Sequence, residues 1–147
     1  AVADAYEADT TTFGSIGHGY TYSGHPVGCA AGIAALAETR RLKLDENAAA
    51  RGKDLAQALA ALKAKHALVG DVRGKGLMAA LELVADRDSK KPADKKTMAK
   101  VAGAAYEAGV MLRVSGNNLI LSPPLILTSL DVKAIADGID AGLSAAG

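Results

Sequence analysis

The sequence predicts an α/β fold in which a short, mainly antiparallel sheet is covered on one face by helices and preceded by one long helix. Three observations carry this. Leu55, Ala58, Leu59 and Leu62 recur at the i, i+3, i+4, i+7 spacing of one buried helical stripe. Two pairs of short apolar runs are divided by turn-forming residues, Gly74-Lys75-Gly76 and Ser115-Gly116-Asn117-Asn118. Farther on, Thr128 stands three residues before Asp131 in the manner of a capping box. It opens a segment whose Val132, Ile135, Ala136, Ile139 and Leu143 share one helical face.

In chain order, Ala3 to Ala8 reads as a short helical end, followed by the turn-prone Asp9-Thr10-Thr11-Thr12. The chain begins there without methionine, as if cut from something longer. A glycine-rich loop, Gly17 to Pro26, leads into a helix from Pro26 to about Arg41. That helix is small or apolar on every face, which predicts burial all round, and Gly28 and Gly32, one turn apart, predict close backbone approach. A covering helix runs from about Asp45 to Lys65. Strands Val69 to Arg73 and Leu77 to Val84 follow, the second placing Leu77, Ala79, Leu81 and Leu83 on one face. Asp86 to Lys96, with Pro92 inside it, reads as a solvated loop. From about Asp94 a third helix carries the stripe Met98, Val101, Ala102, Ala105 and Tyr106 and ends at Gly109. Val110 to Val114 and Leu119 to Ser122 form a hairpin that Pro123-Pro124 stops.

Composition narrows the function. With 147 residues, half of them hydrophobic, the chain suffices for one domain with a real core and is too short to expect two. Seventeen basic residues against 16 acidic ones give a net charge of +1, which leaves no electrostatic footprint for nucleic acid or an anionic membrane. Aromatic residues, at 3%, are too few to build a stacking platform for single strands. A lone cysteine, Cys29, excludes an internal disulfide and reads as a buried, inert thiol compatible with a reducing cytosol. Neither a long apolar span nor a signal-peptide pattern is present, so a soluble, cytoplasmic protein is expected.

The loop Gly17-His18-Gly19-Tyr20-Thr21-Tyr22-Ser23-Gly24-His25-Pro26 has the most distinctive chemistry in the chain. Its glycines let another group approach the backbone amides, and Thr21, Tyr22 and Ser23 add three consecutive hydroxyls. Pro26 suits the first position of a helix, whose free amides and dipole attract phosphate or carboxylate. Composition alone admits two readings, a structural connection or an anion site. His18 and His25 lack a third ligand at metal spacing, so no metal is expected. His25 is read as shaping the helix entry and His66 as an exposed helix end, while Ser23 has no base and acid partner to make it a nucleophile. Arg73 is either an anion contact or a structural surface arginine. Arg113, one arginine on an apolar strand, either snorkels or binds a ligand.

The loop resembles, almost letter for letter, the HG(Y/F)TYSGHP segment of class III pyridoxal-phosphate aminotransferases, the ω-amino-acid and diamine transaminase group of fold-type I. Asp71 to Met78 resembles the family's VRGxGLM segment, and Arg113 to Thr128 resembles its closing pattern. From about Val2 onward the chain is similar to the last third of such an enzyme. The resemblance implies three parts: residues 1–25 as the end of the large domain with the cofactor-phosphate loop, 26–41 as an interdomain helix, and 42–147 as the small C-terminal domain. It implies that Thr21, with Tyr20 and Gly19, binds the phosphate of pyridoxal 5'-phosphate held by the other subunit of a homodimer. It also implies that Arg113 swings to hold a substrate carboxylate. The reaction implied moves an amino group from a primary amine or ω-amino acid to a 2-oxo acid. That chemistry needs a lysine that joins the cofactor covalently and an acidic partner for its ring nitrogen, both upstream in the family. No lysine here sits in the matching motif, so no catalytic residue is assigned and the chain alone is expected to be inactive. Two alternatives are a stand-alone α/β anion-binding or interaction module, and an aminomutase or decarboxylase on the same scaffold.

Overall fold

The computed structural model describes the backbone of residues 2–14, 17 and 19–147, and all their side chains except those of residues 2, 3, 9 and 13. The chain divides into two units, Ala1–Glu38 and Thr39–Gly147.

In the first unit, helix α1 spans Val2–Phe13 and runs straight through the threonines expected to turn. Thr10 Oγ1 donates to the Tyr6 carbonyl at 2.8 Å, one turn back. A threonine can therefore satisfy its hydroxyl within a helix and need not break it. Gly14, at φ 77°, ends α1 in the left-handed conformation. Helix α2, Pro26–Arg41, has the expected bounds but not the expected burial. None of its residues is buried, Val27, Ile33 and Leu36 are 69%, 70% and 60% exposed, and Cys29 is exposed as well. Among the described residues, and leaving aside the chain neighbours and the helix's own backbone, no atom lies closer than 4.0 Å to where a Cβ on Gly28 would stand, and nothing lies within 4 Å for Gly32. Apolar periodicity reports what a helix can bury, whereas burial itself requires a neighbour.

The second unit holds the sheet and its cover. Helix α3 (Leu44–Lys65) leads to β1 (Val69–Lys75), β2 (Met78–Asp86) and the two-residue β3 (Lys91–Pro92). Helix α4 (Lys95–Glu107), β4 (Arg113–Ser115), β5 (Asn118–Leu121) and α5 (Ser129–Ala146) complete it. All pairings are antiparallel, in the order β1-β2-β5-β4, with β3 pairing β2. Two tight turns set the register. Gly76 and Gly116, at φ 56° and 59°, occupy the first central position of two-residue hairpin loops, where a positive φ matches the strand twist. Leu77 falls in the first turn, still buried, and the second hairpin's first strand begins only at Arg113.

Strand alternation then sorts the faces. Val69, Leu81, Leu83, Leu119 and Leu121 are buried against Leu55, Leu59 and Leu62 of α3, Met98 and Val101 of α4, and Val132, Ile139 and Leu143 of α5. Each such aliphatic side chain contributes about 1.5–3 kcal/mol by leaving water. Tyr106, expected on the buried stripe of α4, is 63% exposed. Close helix contacts depend on glycine: a Cβ on Gly142 of α5 would stand 2.5 Å from the Val101 carbonyl oxygen of α4. The capping box of α5 forms as expected, Thr128 and Asp131 exchanging side-chain and backbone bonds.

The charged stretch from Asp86 to Lys96 is more than a solvated loop. Asp86 Oδ1 accepts from the Ser89 amide at 2.7 Å, closing a turn that returns the chain to pair with β2 as β3. Arg87 Nε donates to the Val69 carbonyl at 3.0 Å, and its Nη2 donates to the carbonyls of His66, at 2.7 Å, and Lys63. It thereby satisfies carbonyl groups at the end of α3 that have no intrahelical partner.

His66 is likewise no exposed helix end. Its side chain is 12% exposed and its Nε2 lies 2.6 Å from Asp140 Oδ1 of α5, while Lys65 Nζ lies 2.6 Å from Asp140 Oδ2. The His66 and Lys65 hydrogen bonds outweigh desolvation and hold the Asp140 carboxyl below the usual carboxylate range. A depressed carboxylate stabilises the fold fully above the unfolded value of about 4, and that contribution is lost as pH falls through the folded value. Asp140→Asn is expected to cost about 0.5–1.5 kcal/mol near neutral pH. Urea unfolding over a pH series should show the gap to the parent closing in acid; a gap independent of pH would mean the carboxylate charge is irrelevant.

Candidate anion sites

The two groups of residues singled out by the sequence lie in different units, Gly19, Tyr20 and Thr21 in the first and Arg113 in the second.

Around Thr21 the chain makes a closed turn. The Tyr20 amide donates to Ser23 Oγ at 3.0 Å and the Ser23 amide donates back to the Tyr20 carbonyl at 2.9 Å. This reciprocal pair puts Thr21 and Tyr22 at the corners of the turn, both exposed. Gly24, at φ 71°, lets the chain reverse into α2, and the His25 amide bonds to the Tyr22 carbonyl at 3.1 Å. His25 shapes the helix entry as expected. Its carbonyl accepts the Cys29 amide at 2.9 Å, the first bond of α2, and its ring meets Tyr22 edge-on at 5.9 Å between centroids. The first amides of a helix have no partner within it, and here they follow directly on the turn. The Thr21 hydroxyl makes no hydrogen bond among the described residues. Exposed hydroxyl, turn and positive helix end together suit a phosphate. Gly17 and Gly19 are exposed, and His18 lies outside the described residues.

Arg113 opens β4, pairs with Ile120 of β5 and is exposed. Beside it Met111, Leu112, Leu121, Pro123 and Ile135 border a recess of about 230 Å³. The side chain makes no ion pair or hydrogen bond among the described residues. This face of the sheet carries a second arginine in the opposite condition. Arg73 Nη1 lies 2.8 Å from Glu82 Oε2 and 3.3 Å from Asp71 Oδ2, and Nη2 donates to Asn118 Oδ1 at 2.6 Å. Hydrogen bonds to Glu82 and then Asp71 raise the Arg73 pKa above its ordinary value. Desolvation acts upward on Asp71, yet the Val72 amide, Lys63 and Arg73 together hold its carboxyl below the usual range. Of the two readings open for Arg73, the structural one therefore holds. A guanidinium already committed to two carboxylates has little left for a ligand, whereas Arg113 keeps its whole donor fork.

Sequence reasoning missed the Arg73 network, although a signal for it exists. A two-residue turn at Gly76-Leu77 dictates that Asp71 faces Glu82 and Arg73 faces Ala80, so the charges had to meet on one face. It also missed Asn117, whose Nδ2 donates to the Leu83 carbonyl at 2.9 Å while its carbonyl accepts the Leu83 amide at 2.8 Å. These bonds pin the tip of the β4-β5 hairpin to β2. Among the described residues, no group of three or more His, Cys, Asp or Glu side chains is arranged to hold a metal ion, and no helix is long and apolar enough to cross a membrane.

The family model described as aminotransferase class-III matches residues 2–143. The diaminobutyrate–2-oxoglutarate transaminase of Halomonas elongata is 41% identical over 138 residues, covering 91% of this chain and 29% of the relative. The taurine–pyruvate aminotransferase of Bilophila wadsworthia is 40% identical over 147 residues, covering 95% of this chain and 30% of the relative. An amine transaminase structure from an uncultivated Pseudomonas species, in its PLP-bound form, is 41% identical with a TM-score of 0.87, covering 99% of this chain and 33% of that one. The chain thus spans about 30% of the length of the curated relatives it matches.

Proposed function

Because this chain belongs to the class III aminotransferases, whose cofactor is pyridoxal phosphate, we propose that it forms the C-terminal third of an enzyme that moves an amino group from a primary amine or ω-amino acid to a 2-oxo acid. In this reading residues 1–25 end the large domain, 26–41 are the interdomain helix and 42–147 the small domain. The apolar, uncovered α2 supports it, because a helix apolar on every face is stable when surrounded. A cytoplasmic homodimer, in which the Tyr20–Ser23 turn of one subunit serves the cofactor of the other, completes the reading.

The observation that carries it is the contrast between the two arginines: Arg113 is uncommitted on a sheet face where Arg73 is fully paired. When bound, pyridoxal phosphate supplies an electron sink for bond rearrangement at the amine carbon. The residues of this chain bind and orient. Thr21 Oγ1, with Gly19 and Tyr20 beside it and the N-terminus of α2 following, would hold the phosphate. Arg113 would receive the carboxylate of the 2-oxo acid bidentately and, on its flexible stem, withdraw into water when a carboxylate-free amine enters.

Three outcomes follow from these roles. The polypeptide of residues 1–147 alone, which contains no lysine assigned to the cofactor, should show no transamination. It should also form no stoichiometric, borohydride-reducible adduct at one lysine; such an adduct would overturn the assignment. Thr21→Ala in the holoenzyme removes a hydrogen bond to a charged group, worth about 1.5–3 kcal/mol, and should weaken cofactor binding by about one to two powers of ten. Unchanged affinity in a titration of the mutant apoenzyme would remove Thr21 from the phosphate site. Arg113→Ala should cost the 2-oxo-acid half-reaction about 1.5–3 kcal/mol in kcat/KM, with a much smaller loss for a carboxylate-free amine. Single-turnover absorbance of the cofactor measures each half-reaction separately, and equal losses would make Arg113 structural.

A further inference from the structure

We propose that Arg73 is a positioning residue for the carboxylate receptor: by holding Glu82, it keeps the one carboxylate of the two rows within reach of Arg113 from pairing with it. The inference rests on the reading of Arg113 given above and adds the residue that keeps it available.

The strand register places Arg73, Ala80, Ile120 and Arg113 in one row across β1, β2, β5 and β4. Asp71, Glu82, Asn118 and Ser115 form the neighbouring row on the same face. Two guanidiniums and two carboxylates thus share one surface. Glu82 is taken by Arg73 at 2.8 Å, and Asp71 by Arg73 at 3.3 Å and by Lys63 at 3.4 Å. Among the described residues, the charge left over in the two rows is Arg113.

Remove Arg73 and the surplus changes sign at Glu82. Glu82 and Arg113 stand two strands and one row apart. At about 4.8 Å between strands and about 6.8 Å between rows, this puts their α-carbons roughly 12 Å apart, within the combined reach of a glutamate and an arginine. Of the other cations that border Glu82, Arg87 is committed to the backbone carbonyls of Lys63, His66 and Val69. Lys90, and Lys63 held by Asp71 at 3.4 Å, each offer a point charge where Arg113 offers a planar fork that matches a carboxylate. An internal Glu82–Arg113 pair formed nine-tenths of the time would leave the receptor open one-tenth of the time. Its apparent affinity for a carboxylate substrate would then fall about tenfold. A carboxylate-free amine would not feel the change.

The test uses the holoenzyme carrying these residues and follows cofactor absorbance in single turnovers, with a 2-oxo acid and with a carboxylate-free amine, for the parent, R73Q, R73Q/E82Q and R113A. R73Q is expected to raise the half-saturating 2-oxo-acid concentration about tenfold at an unchanged limiting rate and to leave the amine half-reaction within about twofold. Adding E82Q should restore the parental value. No selective loss in R73Q, or a loss that E82Q does not restore, overturns the proposal and leaves Arg73 a structural clasp. R113A separates the two claims. A selective loss there without one in R73Q keeps the receptor and sinks the keeper, while no selective loss in R113A sinks the receptor itself and the proposal with it. Should R73Q fail to fold, R73K carries the test. A lysine ammonium holds one carboxylate at a time, so a smaller selective loss, again abolished by E82Q, is expected, and its absence overturns the proposal.

Discussion

The register of the antiparallel sheet is the constraint from which the rest of the second unit follows. Two glycine-first turns, at Gly76-Leu77 and Gly116-Asn117, fix how β1 meets β2 and how β4 meets β5. Because side chains alternate with a period of two, a slip of one residue would send Leu81 and Leu83 into water and draw Glu82 into the core. Burying that carboxylate without a partner costs more than any one leucine contributes. The helices reinforce the choice. Leu55, Leu59 and Leu62 of α3 and Ile139 and Leu143 of α5 share one apolar core with the inward leucines of the sheet.

The same register builds the charged face opposite the core. Placing Asp71 against Glu82 puts two like charges side by side, an arrangement that is destabilising between strands unless a cation intervenes. Arg73 intervenes, and by reaching Asn118 it also joins the first hairpin to the second across β2. With Asn117 holding β2 from the hairpin tip, the backbone beneath Arg113 is fixed at its turn end. The swing proposed for Arg113 would then be motion of a side chain on a strand paired along β5. This is the condition under which a guanidinium can swing without moving the sheet.

Much of this was legible in the residues. The stripes of α3 and α5, the Thr128–Asp131 capping box and the hairpin turns follow from spacing and turn chemistry, because those signals are local. What was misread depended on neighbours. The Ala/Gly pattern of α2 predicts burial, yet a pattern cannot supply the surface that covers it. Tyr106 continues the stripe of α4 on the helical wheel, yet it is exposed in the structure. His66 reads as an exposed helix end and Asp86 to Lys96 as a solvated loop because the partners of His66 and Arg87, Asp140 of α5 and the last carbonyls of α3, are distant in sequence or belong to the backbone. The family resemblance pointed to Arg113. Only the register explains why that arginine, and not Arg73, is unpaired.

The two candidate anion sites use different physics, and the difference suits the residence time of what each would hold. A cofactor phosphate stays through many turnovers, so its donors can be neutral and fixed: a threonine hydroxyl, backbone amides and the dipole of α2, organised by the reciprocal Tyr20–Ser23 bonds. Neutral donors have no counterion to displace, and a turn already closed by two hydrogen bonds has less entropy to lose when a ligand arrives. A substrate carboxylate must leave in every cycle and alternate with groups that carry no charge. For that purpose a permanently paired arginine is too weak a receptor and a buried unpaired one too costly a neighbour for an apolar group. An exposed guanidinium avoids both penalties, since water solvates it when the carboxylate is absent. The cost of that arrangement is vulnerability to any internal carboxylate within reach, and under the proposed roles the occupancy of Glu82 by Arg73 would bear on substrate choice as well as on the stability of the sheet.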